Sequence, residues 1–148
     1  MAEAAAEGVN TTVKLTLAGP TKPVIADKDV FMVNVPGMSG EYGIVADHAA
    51  TISELKPGLV QVWENEGDEP EQYFVPAGVA ITSPDNTTGI AVAEIATLDE
   101  LDVSKAQAGL AEAKAAMDKA EEGTEEHAKA QIEVEVFEGI VGALGGTV

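Results

Sequence analysis

The spacing of apolar residues changes once along this chain of 148 residues, close to Thr97. Between Val13 and about Ile95, short runs rich in Val, Ile, Thr, Tyr and Phe are separated by Pro, Gly, Asn and Asp. Runs repeated every 8 to 12 residues or so are typical of antiparallel sandwiches and barrels. After Thr97 the apolar residues recur at steps of three and four, as on one face of a helix. We therefore expect an antiparallel β-sandwich of about eight to ten strands, followed by an antiparallel hairpin of two helices.

The same change divides the chain into three expected segments. Residues 1–12 begin with a stretch rich in Ala and Glu that has no hydrophobic period, which predicts a disordered lead-in. Residues 13–96 are expected to form the β-sandwich domain and residues 97–148 the helical hairpin. The N-terminal stretch lacks the basic and apolar regions of a secretory signal, and no apolar run reaches the roughly 18 to 20 residues of a membrane span.

Individual strands and turns follow from the residues between the apolar runs. The run that begins at Val13 alternates apolar and polar residues, which predicts a strand with one buried face. Residues 30–35 are almost all apolar and predict a strand covered on both faces. Two hairpins are expected, around turns at residues 65–68 and 84–86, because both segments are rich in turn-forming residues.

The helical part contains recognisable start and stop signals. Thr97 and Glu100 have the spacing of a capping box, and Asp102 is a second candidate N-cap, so the first helix should begin there or just after. Gly123 is expected to end it, and Thr124 to cap the second helix. A narrow stripe of mostly small residues would let a partner helix approach closely. That stripe consists of Ala106, Leu110, Ala113, Met117 and Ala120.

The second helix contains an ambiguity, because Ile132, Val134 and Val136 alternate with glutamates as they would in a strand. The preceding residues 125–131 are strong helix formers, so we predict a helix. Its apolar side is predicted to be a row with a step of four, joined by two neighbours. The row is Ile132, Val136, Ile140 and Leu144, and the neighbours are Phe137 and Val141.

The charge of the chain excludes several classes of function. There are 26 acidic residues against 8 basic ones, all of them Lys, which gives a net charge of −18 and a pI of about 4.1. This charge excludes most classes of nucleic-acid binder, because a phosphate backbone requires a basic surface, and we expect no nucleic-acid partner. An arginine-finger mechanism is impossible without Arg. With two His and no Cys, we also expect no zinc site, and the acidic clusters lack the spacing of a calcium loop. No metal or other cofactor is expected.

One catalytic alternative can be assembled from Ser39, Asp47 and His48, which share a polar stretch. The glycine pattern of a nucleophile elbow is missing, because Ser39 is followed by Gly40 and Glu41. Neighbours in sequence do not make a catalytic triad, which is a spatial arrangement. A small Ser/His hydrolase would require activity that disappears in Ser39→Ala. The glycine motifs of phosphate-binding loops are absent as well.

Six short segments occur in a recognisable order along the chain. They are Val35-Pro36, Gly40-Glu41-Tyr42-Gly43-Ile44, His48-Ala49, Leu55-Lys56-Pro57-Gly58, Tyr73-Phe74-Val75 with Gly78, and Leu98-Asp99-Glu100-Leu101-Asp102. Taken in this order, they resemble the small central-stalk subunit of F-type ATP synthase, which is called epsilon in bacteria and chloroplasts and delta in mitochondria. The resemblance spans about residues 13–144, and its C-terminal part is closer to the mitochondrial type.

The resemblance implies a β-sandwich of about ten strands, a helical hairpin and no catalytic centre. It implies a rotor subunit that binds the gamma subunit and the c-ring, and that couples c-ring rotation driven by proton flow to ATP synthesis. The alpha and beta subunits would be contacted only indirectly, and a small epsilon subunit joins the stalk in mitochondria. Such a subunit is peripheral to the membrane, on the matrix side of the mitochondrial inner membrane or on the membrane-associated F1 of bacteria or chloroplasts.

The resemblance also implies two candidate sites. The loop formed by Met38, Ser39, Gly40 and Glu41 would face the c-ring, where the Glu41 carboxylate would suit a basic c-ring loop. The second site is the position of an ATP-binding motif of bacterial relatives, which contains Arg followed by further arginines. Lys replaces that Arg here, so ATP sensing is not expected, although a regulatory nucleotide-binding module stays an alternative function. The matching residues are Leu101, Asp102, Lys105 and Ala106.

Overall fold

The structure is a computed structural model that describes residues 11–145. The expected disordered lead-in therefore lies almost entirely outside the described residues. The chain forms two compact units, Met1–Ile95 and Ala96–Val148. The first unit is built of strands and the second is mostly helical.

Ten short strands are present in the described part of the chain. The strands are β1 Val13–Ala18, β2 Pro23–Val30, β3 Met32–Gly37, β4 Gly40–Ile44, β5 Thr51–Leu55, β6 Gly58–Trp63, β7 Glu71–Val75, β8 Gly78–Thr82, β9 Thr87–Val92 and β10 Ala96–Thr97. Eight of them form the main path of the first unit's sheet, in the order β7-β6-β3-β5-β8-β9-β1-β2, and β4 pairs with β3. Neighbouring strands are antiparallel except β1 and β9, which are parallel and far apart in sequence.

The curled sheet encloses a single aliphatic core in the first unit. In β1, Val13, Leu15 and Leu17 are at most 1 % exposed, as the alternation of that strand predicts. Burial of each such side chain contributes about 1.5–3 kcal/mol. Both predicted hairpins are present, β6–β7 and β8–β9. The expected β-sandwich is thereby confirmed, and so is the hairpin of two helices that follows it.

The prediction for residues 30–35 was wrong. The apolar run is divided between the end of β2 and the start of β3, because Phe31 interrupts the strand and its N–H donates to the Trp63 carbonyl at 2.9 Å. In β3, Val33 and Val35 are fully buried, whereas Met32 and Asn34 are half-buried. Burial therefore alternates over residues 32–35, before the buried Pro36 and Gly37, and the continuous apolar run arises because two strands meet within it.

The second unit contains a short 3-10 turn, Leu98–Glu100, and two helices, α1 Val103–Lys119 and α2 Glu125–Ala143. The predicted N-caps are confirmed. Asp102 Oδ1 accepts from the backbone N–H groups of Ser104 and Lys105 at 2.9 and 3.1 Å. Thr124 Oγ1 accepts from the N–H of His127 at 3.3 Å. Neither helix is long and apolar enough to cross a membrane, as judged over the described residues.

The two helices pack through mostly small residues of α1 and through residues of α2 that match the predicted apolar side only in part. Phe137 and Val141, predicted as neighbours of the row, and Ile140, predicted within it, belong to the apolar cluster of the hairpin. Ala106, Leu110 and Ala113 are buried, as expected. In α2 the buried residues are Ala130, Val134 and Val141, joined by half-buried Phe137. These positions are separated by steps of four, three and four.

Ile132 was predicted to face the helix partner and is instead 62 % exposed. Two residues correspond to about 200° around a helix of 3.6 residues per turn, so Ile132 and Val134 point to opposite sides. Val136 and Ile140, from the same predicted row, are only half-buried. The prediction for Ile132 failed because two rows satisfy the helical period, and the contact with α1 buries Val134 instead.

Gly109 in α1 lies directly against the ring of Phe137 in α2. A Cβ atom built on Gly109 would be 2.5 Å from Phe137 Cζ and 2.6 Å from Cε1. Carbon atoms in contact are normally separated by about 3.5–4.0 Å. The absence of a side chain at Gly109 therefore creates the space that the aromatic ring occupies.

Candidate functional site

The loop at residues 38–41 is the turn that joins β3 to β4. Gly37 pairs with Gly40, and Pro36 with Glu41, so that only Met38 and Ser39 lie between the two strands. Gly40 has a φ of +136°, which a residue with a side chain rarely adopts. A Cβ on Gly37 would lie 2.8 Å from the Gly40 carbonyl oxygen. The two glycines thus permit the tight turn that projects Met38 and Ser39.

Backbone hydrogen bonds on both sides of Gly37 attach the turn to β5 and to the residue that follows β5. The N–H of Met38 donates to the Glu54 carbonyl at 2.9 Å, and the N–H of Lys56 donates to the Pro36 carbonyl at 2.9 Å. Below the turn, the hydroxyl groups of Tyr42 and Ser53 form a hydrogen bond. These contacts restrain the base of the loop while its outer residues stay free to contact a partner.

The outer residues of the loop are exposed and have mixed character. Met38 is 61 % exposed, and Ser39, Gly40 and Glu41 are exposed as well. Beside the loop lies a shallow cavity of about 290 Å³, whose lining includes Met38, Tyr42 and Ile52. The structure thus combines an acidic residue, a flexible apolar side chain and a small depression on one surface. Such a surface is suited to contact with a macromolecular partner.

Ile52 was not identified from the sequence as part of this surface. It points outward from β5 and is 76 % exposed. On the neighbouring strand β8, its pairing partner Ile81 is 48 % exposed. The outward positions of a sheet with one buried face are normally polar. One sequence signal could have identified Ile52 as exposed. It is an apolar residue between Thr51 and Ser53, in a strand where only Leu55 is buried.

In the second predicted site, at residues 101–106, two of the four named residues serve the structure of the hairpin. Asp102 caps α1 with its carboxylate, and Ala106 is 4 % exposed within the packed face of the helices. Lys105 is exposed and Leu101 is half-buried. The motif therefore coincides with the start of a helix, and its carboxylate already accepts two backbone hydrogen bonds.

The three residues of the hydrolase alternative are not joined by hydrogen bonds. His48 Nδ1 lies 2.8 Å from the Ala49 carbonyl oxygen, and its ring is 6.1 Å from that of Tyr42. The Asp47 backbone N–H and carboxylate both contact the side chain of Asn86. Among residues 11–145, no group of three His, Asp or Glu side chains is placed to hold a metal ion.

The clearest pKa shifts lie at another part of the first unit, near β6 and β7. A hydrogen bond to Glu64 raises the pKa of Lys28, which also forms an ion pair with that carboxylate. Burial, together with a 2.9 Å hydrogen bond from its hydroxyl to Glu71, raises the pKa of Tyr73 to about 12. The contact of Lys28 with Glu64 joins β2 to the residue that follows β6, and these two strands are not neighbours in the sheet. The hydrogen bond of Tyr73 to Glu71 lies within β7.

Residues 12–96 match the family described as "ATP synthase, Delta/Epsilon chain, beta-sandwich domain". The chain belongs to this family. This delta/epsilon match covers the strand-rich unit only. The helices are included in the matches to relatives that align with most of the chain. Three of these are named ATP synthase subunit delta, mitochondrial. The relative from Neurospora crassa is 36% identical over 94% of this chain and 83% of its own length. The relative from Agaricus bisporus is 37% identical over 92% of this chain and 82% of its own length. The relative from Caenorhabditis elegans is also 37% identical, over 88% of this chain and 78% of its own length.

Solved structures extend the comparison to the arrangement of the chain. A chain of the Euglena gracilis mitochondrial ATP synthase, in an assembly described as OSCP/F1/c-ring in rotational state 1, matches with a TM-score of 0.83. It is 28% identical, and the match covers 93% of this delta/epsilon chain and 84% of that one. A chain of the Tetrahymena thermophila central stalk and c-ring has the same fold, with a TM-score of 0.61 at 19% identity. The resemblance inferred from the six segments is confirmed, and the relatives are of the mitochondrial type.

Proposed function

We propose that this chain is a non-catalytic rotor subunit of the central stalk of a mitochondrial ATP synthase. The observation that carries the proposal is the combination of family membership with a match along 93% of the chain to a component of a solved mitochondrial synthase. The subunit has no active site of its own in this proposal. It transmits torque between the c-ring and the catalytic head, where ATP is made.

The proposed partners are the gamma subunit, the c-ring and the small mitochondrial epsilon subunit, with the alpha and beta subunits reached only through gamma. The loop of Met38, Ser39, Gly40 and Glu41 is proposed to contact the c-ring. Its exposure and its attachment to β5 support this role, because a contact that carries load needs a restrained base. The chain is proposed to lie on the matrix side of the mitochondrial inner membrane, peripheral to the bilayer.

The test compares two charge reversals in the first unit, made in cells that depend on this chain. Glu41→Lys changes the proposed contact, whereas Glu66→Lys makes the same charge change in the exposed β6–β7 turn. Both variants should fold like the natural chain. The intact synthase is purified in mild detergent, and the amounts of this chain, gamma and c-ring are measured together with ATP synthesis driven by a proton gradient.

We expect the natural chain to be recovered with gamma and the c-ring in fixed proportion. Glu41→Lys should weaken attachment to the c-ring by about tenfold, and Glu66→Lys should leave it unchanged. If the two variants behave alike, Glu41 is not a contact. If the natural chain is absent from an intact synthase, the rotor proposal is wrong.

A further inference from the structure

Met38, at the tip of the β3–β4 turn, is more accessible than the other methionines that the structure describes. Met38 is 61 % exposed. Met32 is half-buried in β3, where a Cβ built on Gly43 would lie 3.4 Å from the Met32 Sδ atom. Met117 is also half-buried, and it packs against the apolar cluster between α1 and α2. Within residues 11–145, one thioether is therefore open to solvent, and two are partly covered by packing.

The turn holds Met38 at the surface. The backbone N–H of Met38 donates to the Glu54 carbonyl at 2.9 Å, and only Ser39 separates Met38 from β4. The Met38 side chain and the exposed Ile52 both line the shallow cavity of about 290 Å³. A flexible thioether adapts to the shape of an apolar partner surface, and it does so only while it stays apolar. The chemical state of one sulfur atom therefore affects any apolar contact made here.

An exposed thioether is oxidised by hydrogen peroxide in a single two-electron step. A lone pair of Sδ attacks one oxygen of the peroxide, so that an S–O bond forms while the O–O bond breaks. The proton on the transferred oxygen passes to the departing hydroxide, which leaves as water. Sulfur loses two electrons, and the peroxide gains them. Methionine sulfoxide reductase reverses the change, as two thiols are oxidised to a disulfide and the oxygen leaves as water.

We propose that Met38 is a reversible oxidation site that controls whether the free chain can attach to the c-ring. The inference rests on the proposed function, because it takes the loop of residues 38–41 as the c-ring contact, and it adds a means of regulating that contact. Peroxide reaches Met38 in the unassembled chain. The sulfoxide oxygen then binds water, and contact with the c-ring must remove this water without replacing its hydrogen bonds, which weakens attachment.

The first part of the experiment measures where the free chain is oxidised. The purified full chain is treated with a limiting amount of hydrogen peroxide, and the added oxygen at each methionine is followed over time by mass spectrometry of peptides. Met32 and Met117 are controls within the same molecule. We expect Met38 to be oxidised at least about tenfold faster than either, because its side chain is the most exposed of the three.

The fold is checked in the same samples by circular dichroism and by the melting temperature. Both should stay unchanged when Met38 is oxidised, because the side chain is largely outside the packed core. Oxidation of Met32 or Met117 as fast as that of Met38 overturns the inference. So does unfolding of the chain when Met38 is oxidised, because the effect on attachment would then not arise from the contact itself.

The second part measures attachment. Gamma and the c-ring are purified together from synthase from which this chain has been removed, and their binding to the full chain is titrated. The natural chain is compared before oxidation, after oxidation, and after repair by methionine sulfoxide reductase with dithiothreitol. Met38→Leu keeps an apolar side chain but has no sulfur, and its peroxide-treated sample is compared with its own untreated sample.

We expect oxidation to raise the Kd of the natural chain about tenfold, since a hydrated polar group replaces an apolar one in the contact. Repair should restore the original Kd, and peroxide should leave the Kd of Met38→Leu at its untreated value. The inference is wrong if the oxidised and unoxidised chains bind alike, if repair does not restore binding, or if Met38→Leu loses affinity after peroxide treatment.

The failure of this inference can be distinguished from failure of the proposed function. In the outcomes that overturn only the oxidation site, the unoxidised natural chain binds gamma and the c-ring. If the unoxidised chain does not bind them, the proposed function is contradicted, and the inference about Met38 is overturned with it.

Discussion

The contact between Gly109 and Phe137 leads to a prediction whose sign differs from that of an ordinary helix substitution. Replacing Gly by Ala inside a helix normally stabilises it by about 1 kcal/mol, because Ala loses less backbone entropy. At Gly109 the new methyl group would lie 2.5 Å from Phe137 Cζ, 2.6 Å from Cε1 and 3.0 Å from Cε2. The ring must move, and overpacking of this kind costs about 1–3 kcal/mol. We expect Gly109→Ala to destabilise the hairpin by about 0–2 kcal/mol.

A matched control lies in the second helix. Gly142 in α2 is exposed, and a Cβ built there would meet nothing within 4 Å. Gly142→Ala should therefore gain the helix propensity without the clash and stabilise the hairpin by up to about 1 kcal/mol. The two substitutions are chemically identical, so their difference measures the contact with the ring.

The cause can be isolated by removing the ring. Phe137→Ala should itself cost about 2 kcal/mol, because the side chain is half-buried and full burial of Phe corresponds to about 3–5 kcal/mol. In that background the methyl group of Gly109→Ala no longer meets an aromatic carbon, and the substitution should become stabilising by up to about 1 kcal/mol. This reversal of sign is the expected coupling between the two residues.

Urea unfolding followed by two signals provides the assay. Circular dichroism at 222 nm reports the helices, and fluorescence of Trp63, the only Trp in the sequence, reports β6 in the other unit. The substitutions should shift the helical signal alone. If Gly109→Ala stabilises the natural chain as much as Gly142→Ala does, the argument from close approach is refuted.

Three further predictions concern separate features. Leu110→Asp should destabilise the hairpin by several kcal/mol, measured by thermal unfolding at 222 nm, because it places an unpaired charge at a position that is 6 % exposed. Asp102→Ala should lower the stability of the hairpin by about 1 kcal/mol, because the N-cap of α1 is lost. ATP should leave the melting temperature of the natural chain and of the variant unchanged. A rise in melting temperature with ATP that depends on Asp102 would instead support nucleotide binding. Because the pKa of Tyr73 is raised from 10.0 to about 12, the folded state retains that proton when the unfolded state has lost it, so stability should fall as pH rises between these values. Tyr73→Phe should reduce that fall in denaturant titrations, and an unchanged slope would contradict the assignment.

The features that sequence predicted best are those decided within a few residues. Asp102 and Thr124 were recognised as N-caps because capping depends on a side-chain oxygen and the backbone of the next turn. Ala106, Leu110 and Ala113 were recognised because one apolar stripe on α1 has no competitor. Local chemistry leaves little freedom at such positions.

The errors arose where two arrangements satisfy the same local pattern. The residues of α2 offer two apolar rows with a helical period, and only the shape of α1 decides that Val134 rather than Ile132 is buried. In the same way, residues 30–35 could be one strand or the junction of two, and pairing with distant strands decides between them. The exposed Ile52 beside the loop follows from the position of β5 in the sheet, which a single strand does not encode. The loop of residues 38–41 was identified through the family resemblance.

The attachment of the β3–β4 turn to β5 has a mechanical consequence. When a partner pulls on a flexible loop, the loop bends first, and the work goes into this deformation before the sheet behind the loop moves. The turn here has two residues between paired strands and is joined by two 2.9 Å backbone hydrogen bonds to β5 and to the residue that follows β5. Force applied at Glu41 would pass along the strand backbone and across these bonds into the sheet, with little elastic delay. In a rotor subunit, such stiffness would let the position of the loop follow the rotation of its partner step by step.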